Sequence, residues 1–263
     1  MNKTFNWKIF FILWVAAILA TIAVLPYTLE LQSSVLAMVK LSLPLPVLIT
    51  LQMVQNAIMF AVMILAGLFF ANRVGLGLPF LEARLNGENV GTKIRAILPI
   101  SIVVGVAGTM IILGLEVFYF QPAMMKELGD TATALNLQTA QPAAWKGFLA
   151  SFYGGIAEEI LLRLFVMSFF VWLGRFISKT SDGKPTSAVF WIANILAAVL
   201  FGAGHLPTMA TLVPLTPLVI ARTIVLNGML GVGLGWLYWK RGLESAMIAH
   251  FSADIILHVL LAL

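Results

Sequence analysis

The chain contains no cysteine and few charged residues. Without cysteine it can form no disulfide, no thiolate nucleophile and no zinc–thiolate site. Charged residues make up 10% of its 263 residues, whereas about 25% is usual in soluble proteins. Hydrophobic residues make up 61%, above the ordinary range of about 45–50%. This composition argues against a soluble enzyme, a disordered chain and a nucleic-acid-binding domain, and it predicts a protein embedded in a lipid bilayer.

Long apolar runs divide the chain into about seven segments that could each cross a bilayer, which takes about 20 residues per helix. The predicted spans are residues 9–25, 47–71, 94–118, 147–173, 187–205, 217–239 and 245–263. Residues 31–43 are apolar but contain Lys40, which favours an interfacial helix. No repeat or polar linker divides residues 1–263, so we predict a single all-α domain. Its fold class is a polytopic membrane helical bundle of about seven transmembrane helices, or eight if a re-entrant or interfacial helix is counted.

Lysine and arginine are distributed unevenly between the loops on the two sides of the predicted bundle. With the N-terminus inside, the inner loops hold eleven of the sixteen: Lys3, Lys8, Arg73, Arg84, Lys93, Arg95, Arg175, Lys179, Lys184, Lys240 and Arg241. The outer loops hold three: Lys40, Lys126 and Lys146. Cytoplasmic loops carry an excess of basic residues. We therefore predict a multi-pass protein of the cell membrane with its N-terminus in the cytoplasm and its C-terminus outside.

Ionisable residues cluster in three of the C-terminal spans, where charge is costly and usually has a function. They are Glu158, Glu159, Arg163, His205, His250 and Asp254. Glu159 and Arg163 lie one helical turn apart and can form an ion pair. Glu158 is rotated by about 100° from Glu159 and must find a partner on another helix. A carboxylate near an imidazole in a dry cavity can activate water, and structural hydrogen bonding between helices is the alternative.

Three motifs carry a resemblance to a known family. Glu-Glu-x-x-x-Arg at 158–163, Phe-x-x-x-His at 201–205 and His-x-x-x-Asp at 250–254 occur in this order. They resemble the CAAX protease and bacteriocin-processing (CPBP, or Abi) family of intramembrane proteases, which includes the Ras-converting CAAX endoprotease. The resemblance covers residues 147–263, a CPBP-like catalytic core, whereas residues 1–146 match only as spans of generic character.

The resemblance implies a helical bundle with the motifs around a cavity inside the membrane. Glu158 and His205 would activate a water molecule for attack on a peptide carbonyl. His250 and Asp254 would lie beside the developing oxyanion, and the pair formed by the second glutamate and the arginine would support the site. The implied enzyme is a CPBP-type intramembrane endopeptidase, either metal-dependent or glutamate-dependent, and CAAX-type processing is one form of this activity.

The expected partners are a membrane-embedded or lipid-anchored protein or peptide substrate and the lipid bilayer, with no nucleic acid. A non-catalytic immunity or scaffold protein of the same fold is the alternative function. The retained Glu158, His205 and His250 favour the enzyme, because a scaffold needs none of them. A transporter is disfavoured, because no inverted repeat is visible between the halves of the chain.

One position departs from the Ras-converting branch, which has Asn where this chain has Asp254. An amide can donate a hydrogen bond to an oxyanion, and an ionised carboxylate cannot. Asp254 is therefore expected to be protonated, to orient His250, or to bind a divalent metal such as zinc. The candidate metal ligands are Glu158, His205, His250 and Asp254, and His258 adds a further turn to the stripe. No other cofactor is expected.

Polar residues elsewhere in the spans have weaker patterns. Gln52, Gln55 and Asn56 lie on the second span, where hydrogen bonds between helices are the expected role for most of them. Arg222 is expected to extend its guanidinium to the interface, with capture of a substrate carboxylate as the alternative. By loop counting, His205 lies at the outer end of its span, so residues 206–216 would have to dip back into the protein to bring it to the depth of the other site residues.

Overall fold

The computed structural model describes residues 5–38, 42–129 and 141–263, and this part of the chain is helical, without β-strands. Its α-helices are α1 (Trp7–Ala23), α2 (Leu25–Leu31), α3 (Ser33–Met38), α4 (Leu45–Val74), α5 (Pro79–Leu85), α6 (Gly91–Leu115), α7 (Gln121–Leu128), α8 (Ala144–Phe152), α9 (Ser168–Gly174), α10 (Ser187–Gly204), α11 (Leu206–Ala210), α12 (Pro217–Arg241) and α13 (Leu243–Asp254). Segments of π-helix continue several of them: Glu116–Phe120 joins α6 to α7, Tyr153–Glu158 and Ile160–Met167 connect α8 to α9, and Ile255–Val259 follows α13 before a 3₁₀ turn, Leu260–Ala262.

Six stretches of the described chain are long and apolar enough to cross a membrane: Trp7–Leu31, Leu45–Val74, Gly91–Leu128, Ser187–Ala210, Pro217–Arg241 and Leu243–Ala262. They coincide with six of the predicted spans, which confirms the polytopic helical bundle. The remaining predicted span, residues 147–173, is also helical throughout. It differs because it carries Glu158, Glu159 and Arg163, charges that are compatible with the bilayer only when they are satisfied inside the protein.

Local signals in the sequence account for the ends of several helices. The Asn6 side chain accepts hydrogen bonds from the backbone of Lys8 and Ile9, as an N-cap residue does. Gly75 ends α4 with φ of 75°, a conformation that glycine adopts without steric cost. Gly242 separates α12 from α13 with φ of 96°, and a Cβ there would overlap the ring of Pro79.

Small residues allow α10 and α12 to pack closely in the centre of the bundle. A Cβ on Gly202 would overlap the backbone of Ile224, and one on Gly235 would overlap the Asn194 amide. The Asn194 side chain donates a hydrogen bond to the Val232 carbonyl across this interface at 2.9 Å. Small residues and polar bridges of this kind favour helix association in membranes, where lipid weakens the hydrophobic driving force.

The structure bears on two expectations about the loops that were predicted to lie outside. Of residues 206–216, which would have had to dip back, Leu206–Ala210 form the helix α11, which is counted in one apolar stretch with α10, Ser187–Ala210. Pro207 begins this turn, a position where proline is tolerated. Of the predicted interfacial segment, residues 31–43, the structure forms the short helix α3 (Ser33–Met38), and Lys40 lies outside the described residues.

Arg222 does not extend to the interface as expected. Its Nε and Nη2 donate hydrogen bonds to the two carboxylate oxygens of Glu116, at 2.8 and 2.9 Å. The side chains are largely buried, 10% and 14% exposed. Glu116 begins the π-segment after α6 and presents its carboxylate at the same depth, so Arg222 is neutralised inside the protein. Because the guanidinium is already paired with Glu116, it is not free to bind a substrate carboxylate, which was the alternative role.

Candidate active site

The structure brings together five of the six predicted site residues around the imidazole of His250. Its Nδ1 donates a hydrogen bond to the Glu159 carboxylate at 2.8 Å. Its Nε2 lies 3.7 Å from a carboxylate oxygen of Glu158 and also 3.7 Å from one of Asp254. Arg163 joins the cluster through Glu159, with 3.4 Å between Nε and Oε2. His250 is thus surrounded by three carboxylates supplied by two segments of the chain.

Two adjacent glycines allow these segments to approach so closely. A Cβ on Gly154 would overlap the Asp254 carboxylate and lie 3.1 Å from Nε2 of His250. A Cβ on Gly155 would lie 3.1 Å from the Met247 carbonyl oxygen. Both glycines belong to the π-segment Tyr153–Glu158, and π-segments are frequent at functional sites because the extra residue changes the face that each side chain occupies.

Glu159 and Arg163 form the predicted pair, and both side chains are fully buried. Arg163 also donates a hydrogen bond to the Gly231 carbonyl at 3.2 Å, and its guanidinium lies 5.1 Å from the centre of the Phe201 ring. The spacing of four residues predicted this contact. It could not predict the bond from His250 to Glu159, because that histidine lies 91 residues further along the chain.

Glu158 differs from its neighbour because it reaches a cavity. Its side chain is 20% exposed, whereas that of Glu159 is 0% exposed. The cavity has a volume of about 670 Å³, and Glu158, Tyr153 and His205 line it. Leucines from α2, α3 and α4 supply much of the remaining wall. The sixth predicted site residue, His205, is therefore part of the same site through the cavity.

The hydrogen bond of His205 to the backbone determines which of its ring nitrogens can accept a hydrogen bond. Its Nδ1 lies 2.8 Å from the carbonyl oxygen of Phe201. A carbonyl oxygen only accepts, so Nδ1 carries the proton and Nε2 of the neutral ring has the lone pair. The Phe201 ring also packs edge-to-face against both histidines, with centroids 4.9 Å from His205 and 5.5 Å from His250. Phe201 thereby contacts both imidazoles.

His250 and Asp254 are not among the residues that line this cavity. The residues around the cavity include Glu158, and the contacts of His250 are with the carboxylates of Glu158, Glu159 and Asp254. The structure thus places the two residues of the last motif beside Glu158, which itself reaches the cavity. This placement makes them neighbours of the candidate base before any substrate is bound.

The predicted metal ligands do not form a metal site as they are placed. Within residues 5–38, 42–129 and 141–263, no three histidine, aspartate or glutamate side chains converge on one point in a way that could hold a metal ion. Nδ1 of His250 is already hydrogen-bonded, and its Nε2 lies 3.7 Å from the nearest carboxylates. His258 does not join His250 and Asp254 as a third ligand, because its Nδ1 contacts the Tyr27 hydroxyl at 3.1 Å.

Residues that sequence reasoning did not assign to the site complete the cavity. Gln52 and Asn56 of α4 line it, together with Thr28 and Gln32 near the end of α2. Hydrogen bonding between helices was the expected role of the first two, but neither side chain makes a hydrogen bond to another residue that the structure describes. A spacing of four residues puts both amides on one helix face, and only the packing reveals that this face borders the cavity.

Comparison with known proteins agrees with the motifs. Residues 140–256 match the family model described as type II CAAX prenyl endopeptidase Rce1-like. No curated protein and no solved structure matches the chain. The matched segment contains every residue of the three motifs and confirms the resemblance on which the site was predicted. Over residues 140–256 the chain is therefore similar to the Rce1-like family of type II CAAX prenyl endopeptidases, a family of proteases.

Proposed function

We propose that the protein is an intramembrane endopeptidase that hydrolyses a peptide bond of a membrane-associated substrate with water activated by Glu158 and His205. The observation that carries this proposal is the division between the adjacent carboxylates. Glu158 reaches the cavity that His205 lines, whereas Glu159 is buried between Arg163 and His250. The Glu158 carboxylate is thus available to a substrate, whereas the Glu159 carboxylate stabilises the arrangement of the site.

In the proposed reaction Glu158 removes a proton from a water molecule, and the water oxygen attacks the peptide carbonyl carbon. Nε2 of His205 accepts a hydrogen bond from the other O–H of this water, which keeps its hydrogen, and so fixes its position. The proton held by Glu158 then passes to the leaving amine as the carbon–nitrogen bond breaks. His250 and Asp254 orient Glu158 in the free enzyme, and the doubly protonated imidazole of His250 can donate from Nε2 to the oxyanion that forms beside Glu158.

The test compares purified wild type with Glu158→Gln and Glu159→Gln, each reconstituted in lipid nanodiscs. Two fluorescent peptides serve as probes: a farnesylated peptide with a CAAX-type ending and an unprenylated leucine-rich peptide. Glu158→Gln should fold normally and lose at least about 100-fold in turnover, the low end for a positioned base. Near-wild-type cleavage by Glu158→Gln would refute this role.

A non-catalytic immunity or scaffold protein is the alternative, and membranes of living cells distinguish it from an enzyme. Membranes that contain wild type or Glu158→Gln should differ in C-terminal peptide fragments when they are compared by proteomics. Fragments that depend on Glu158 support the protease. Identical fragments in the two membranes, together with no cleavage of either probe, would favour the scaffold.

The orientation of the site decides which substrates can reach it. We propose that the N-terminus lies in the cytoplasm of a cell-membrane protein, because the basic residues concentrate in the loops on that side. The cavity lies toward the other end of the bundle, where Gln32, Leu45 and Thr208 line it. Its substrates would then approach from the outer half of the membrane.

CAAX-type processing is the second candidate, which the name of the matched family favours. Prenylated proteins carry their lipid anchor in the cytoplasmic leaflet, so this activity requires the reverse orientation. Single cysteines at Ser181 and Glu127 of the cysteine-free chain distinguish the two. An impermeant thiol reagent applied to intact cells should label position 127 and spare position 181. The opposite pattern would overturn the orientation and favour CAAX-type processing.

A further inference from the structure

We infer that Gln52 and Asn56 bind the main chain of the substrate peptide, so that α4 supplies the binding wall of the cavity in which Glu158 acts. This inference rests on the proposed function, because it concerns the same cavity. Both residues precede the segment that matches the protease family, which begins at residue 140. The binding wall would therefore come from a different part of the chain than the reactive groups.

The first observation is position. Gln52 and Asn56 lie one turn apart on α4, and both line the cavity of about 670 Å³ that also contains Glu158 and His205. Two hydroxyl groups of the cavity wall, by contrast, are already used. The Thr28 hydroxyl donates to the Val24 carbonyl at 2.8 Å, and that of Thr21 donates to Ala17 at 2.8 Å.

The second observation is the unused hydrogen-bonding capacity of the two amides. Within the described part of the chain, neither side chain has a hydrogen-bond partner. Asn194 and Asn227, by contrast, each donate to a backbone carbonyl, at 2.9 and 2.8 Å. An amide without a partner is costly at membrane depth. A side-chain amide can donate a hydrogen bond from its NH2 group to a peptide C=O and accept one at its oxygen from a peptide N–H.

The third observation is spacing. Four residues of an α-helix rise by about 6 Å, and two residues of an extended peptide advance by about 6.6 Å. An extended peptide presents main-chain groups on the same edge at every second residue. Gln52 and Asn56 can therefore address the main chain of two alternate residues. Recognition of this kind requires no particular side chain and fixes the peptide in the extended form that hydrolysis needs.

Gln55 provides a matched control on the same helix. It has the same side chain as Gln52 and is likewise exposed, but it is absent from the residues that line the cavity. Substitution by leucine at any of the three positions keeps a good helix former in a membrane-facing helix. Thermal unfolding of each variant in detergent verifies that it is folded.

The experiment measures cleavage of the two probe peptides by Gln52→Leu, Asn56→Leu and Gln55→Leu, and their binding in a Glu158→Gln background. Each of the first two changes should raise KM and Kd by about 3- to 10-fold, the effect of one lost hydrogen bond, while kcat stays within about two-fold. Gln55→Leu should leave all three constants unchanged. Equal constants for all three leucine variants would overturn the inference.

Ester-substituted peptides identify the main chain as the group that is bound. Replacing one peptide N–H by an ester oxygen should weaken binding to the Glu158→Gln protein at two alternate positions of the peptide. At one of those positions the ester should cause no further loss once Gln52→Leu is introduced. An ester effect that persists unchanged in both leucine variants would refute main-chain binding.

These outcomes are separable from the failure of the proposed function. A wild type that binds the peptides without cleaving them would refute the protease and still leave the binding comparison valid. A wild type that cleaves with no contribution from Gln52 or Asn56 would refute this inference and leave the protease intact.

Discussion

The two halves of the described chain contribute to one cavity in different ways. Residues 141–263 place Glu158 and His205 on its wall and pack Glu159, Arg163 and His250 close to Glu158, almost fully enclosed by protein. Residues 5–38 and 42–129 bring leucines and unpaired amides from less buried helices, since only 22% of the most apolar stretch of α4 is buried, compared with 44% in α12. A reactive cluster needs a rigid, fully packed shell, whereas a wall that meets a peptide and lipid must stay open.

Removing the arginine at the centre of the charged half should have the largest effect on stability. Arg163→Met leaves the Glu159 carboxylate buried beside His250 without its cation, which should cost roughly 3–5 kcal/mol of unfolding free energy. Arg73→Met is the control in the other half, because Arg73 is exposed at the end of α4 and should contribute less than about 1 kcal/mol. Unfolding in mixed micelles with increasing dodecyl sulfate measures both. Equal midpoints for Arg163→Met and wild type would contradict the comparison.

Filling the gap between the two segments that form the candidate site should have the next largest effect. Gly154→Ala forces a methyl group against the Asp254 carboxylate. Overpacking of this kind should cost about 1–3 kcal/mol, and peptide cleavage should fall because His250 and Glu158 are displaced. Gly114→Ala in α6 is the matched control, since a Cβ there meets nothing within 4 Å. If both alanines leave stability and cleavage unchanged, the close approach at Gly154 does not matter to the site.

The ion pair that joins the two halves should have an intermediate effect on stability alone. Arg222→Met leaves Glu116 without its partner, at an expected cost of about 1–3 kcal/mol for a poorly solvated group. The double variant Glu116→Gln/Arg222→Met should recover part of this loss, because no buried charge remains. Cleavage of the probe peptides should be unaffected when the variants are folded. A loss of activity without a loss of stability would mean that Arg222 contacts the substrate.

The smallest effect is expected for Asp254→Asn, where the chain departs from the Asn-bearing branch. If Asp254 orients His250 or donates as a protonated acid, the amide retains size and shape, and activity should survive within about ten-fold and persist to higher pH. Asp254→Ala should be more damaging, because it removes the side chain beside Nε2 of His250. Cleavage across a pH series measures both variants.

Elemental analysis addresses the metal alternative for the same residue. The carboxylate is a good zinc ligand, and the neutral amide is a much poorer one. Stoichiometric zinc in the purified wild type, lost together with activity in Asp254→Asn and on chelation, would contradict the interpretation that Asp254 only orients His250 or donates a hydrogen bond. Full activity in the presence of chelator would support it.

Composition and short-range spacing determined the features of this protein that arise within a single helix, namely its spans and the contacts one turn apart. Apolar runs longer than a bilayer is thick must become spans, so the helical membrane bundle could be predicted from them. A separation of four residues places side chains on one helix face, which predicted the contact between Glu159 and Arg163 and the proximity of His250 to Asp254.

Only the tertiary structure decided which helix faces meet. The bond from His250 to Glu159 spans 91 residues and that from Arg222 to Glu116 spans 106, and nothing in local periodicity selects such partners. The π-segment Tyr153–Glu158 changes the side of the helix on which Glu158 lies. The packing of the helices also leaves a cavity, and Gln52 and Asn56 line it. These features arise from the packing of whole helices against each other, where small residues permit approach and every buried charge must find a partner at its own depth.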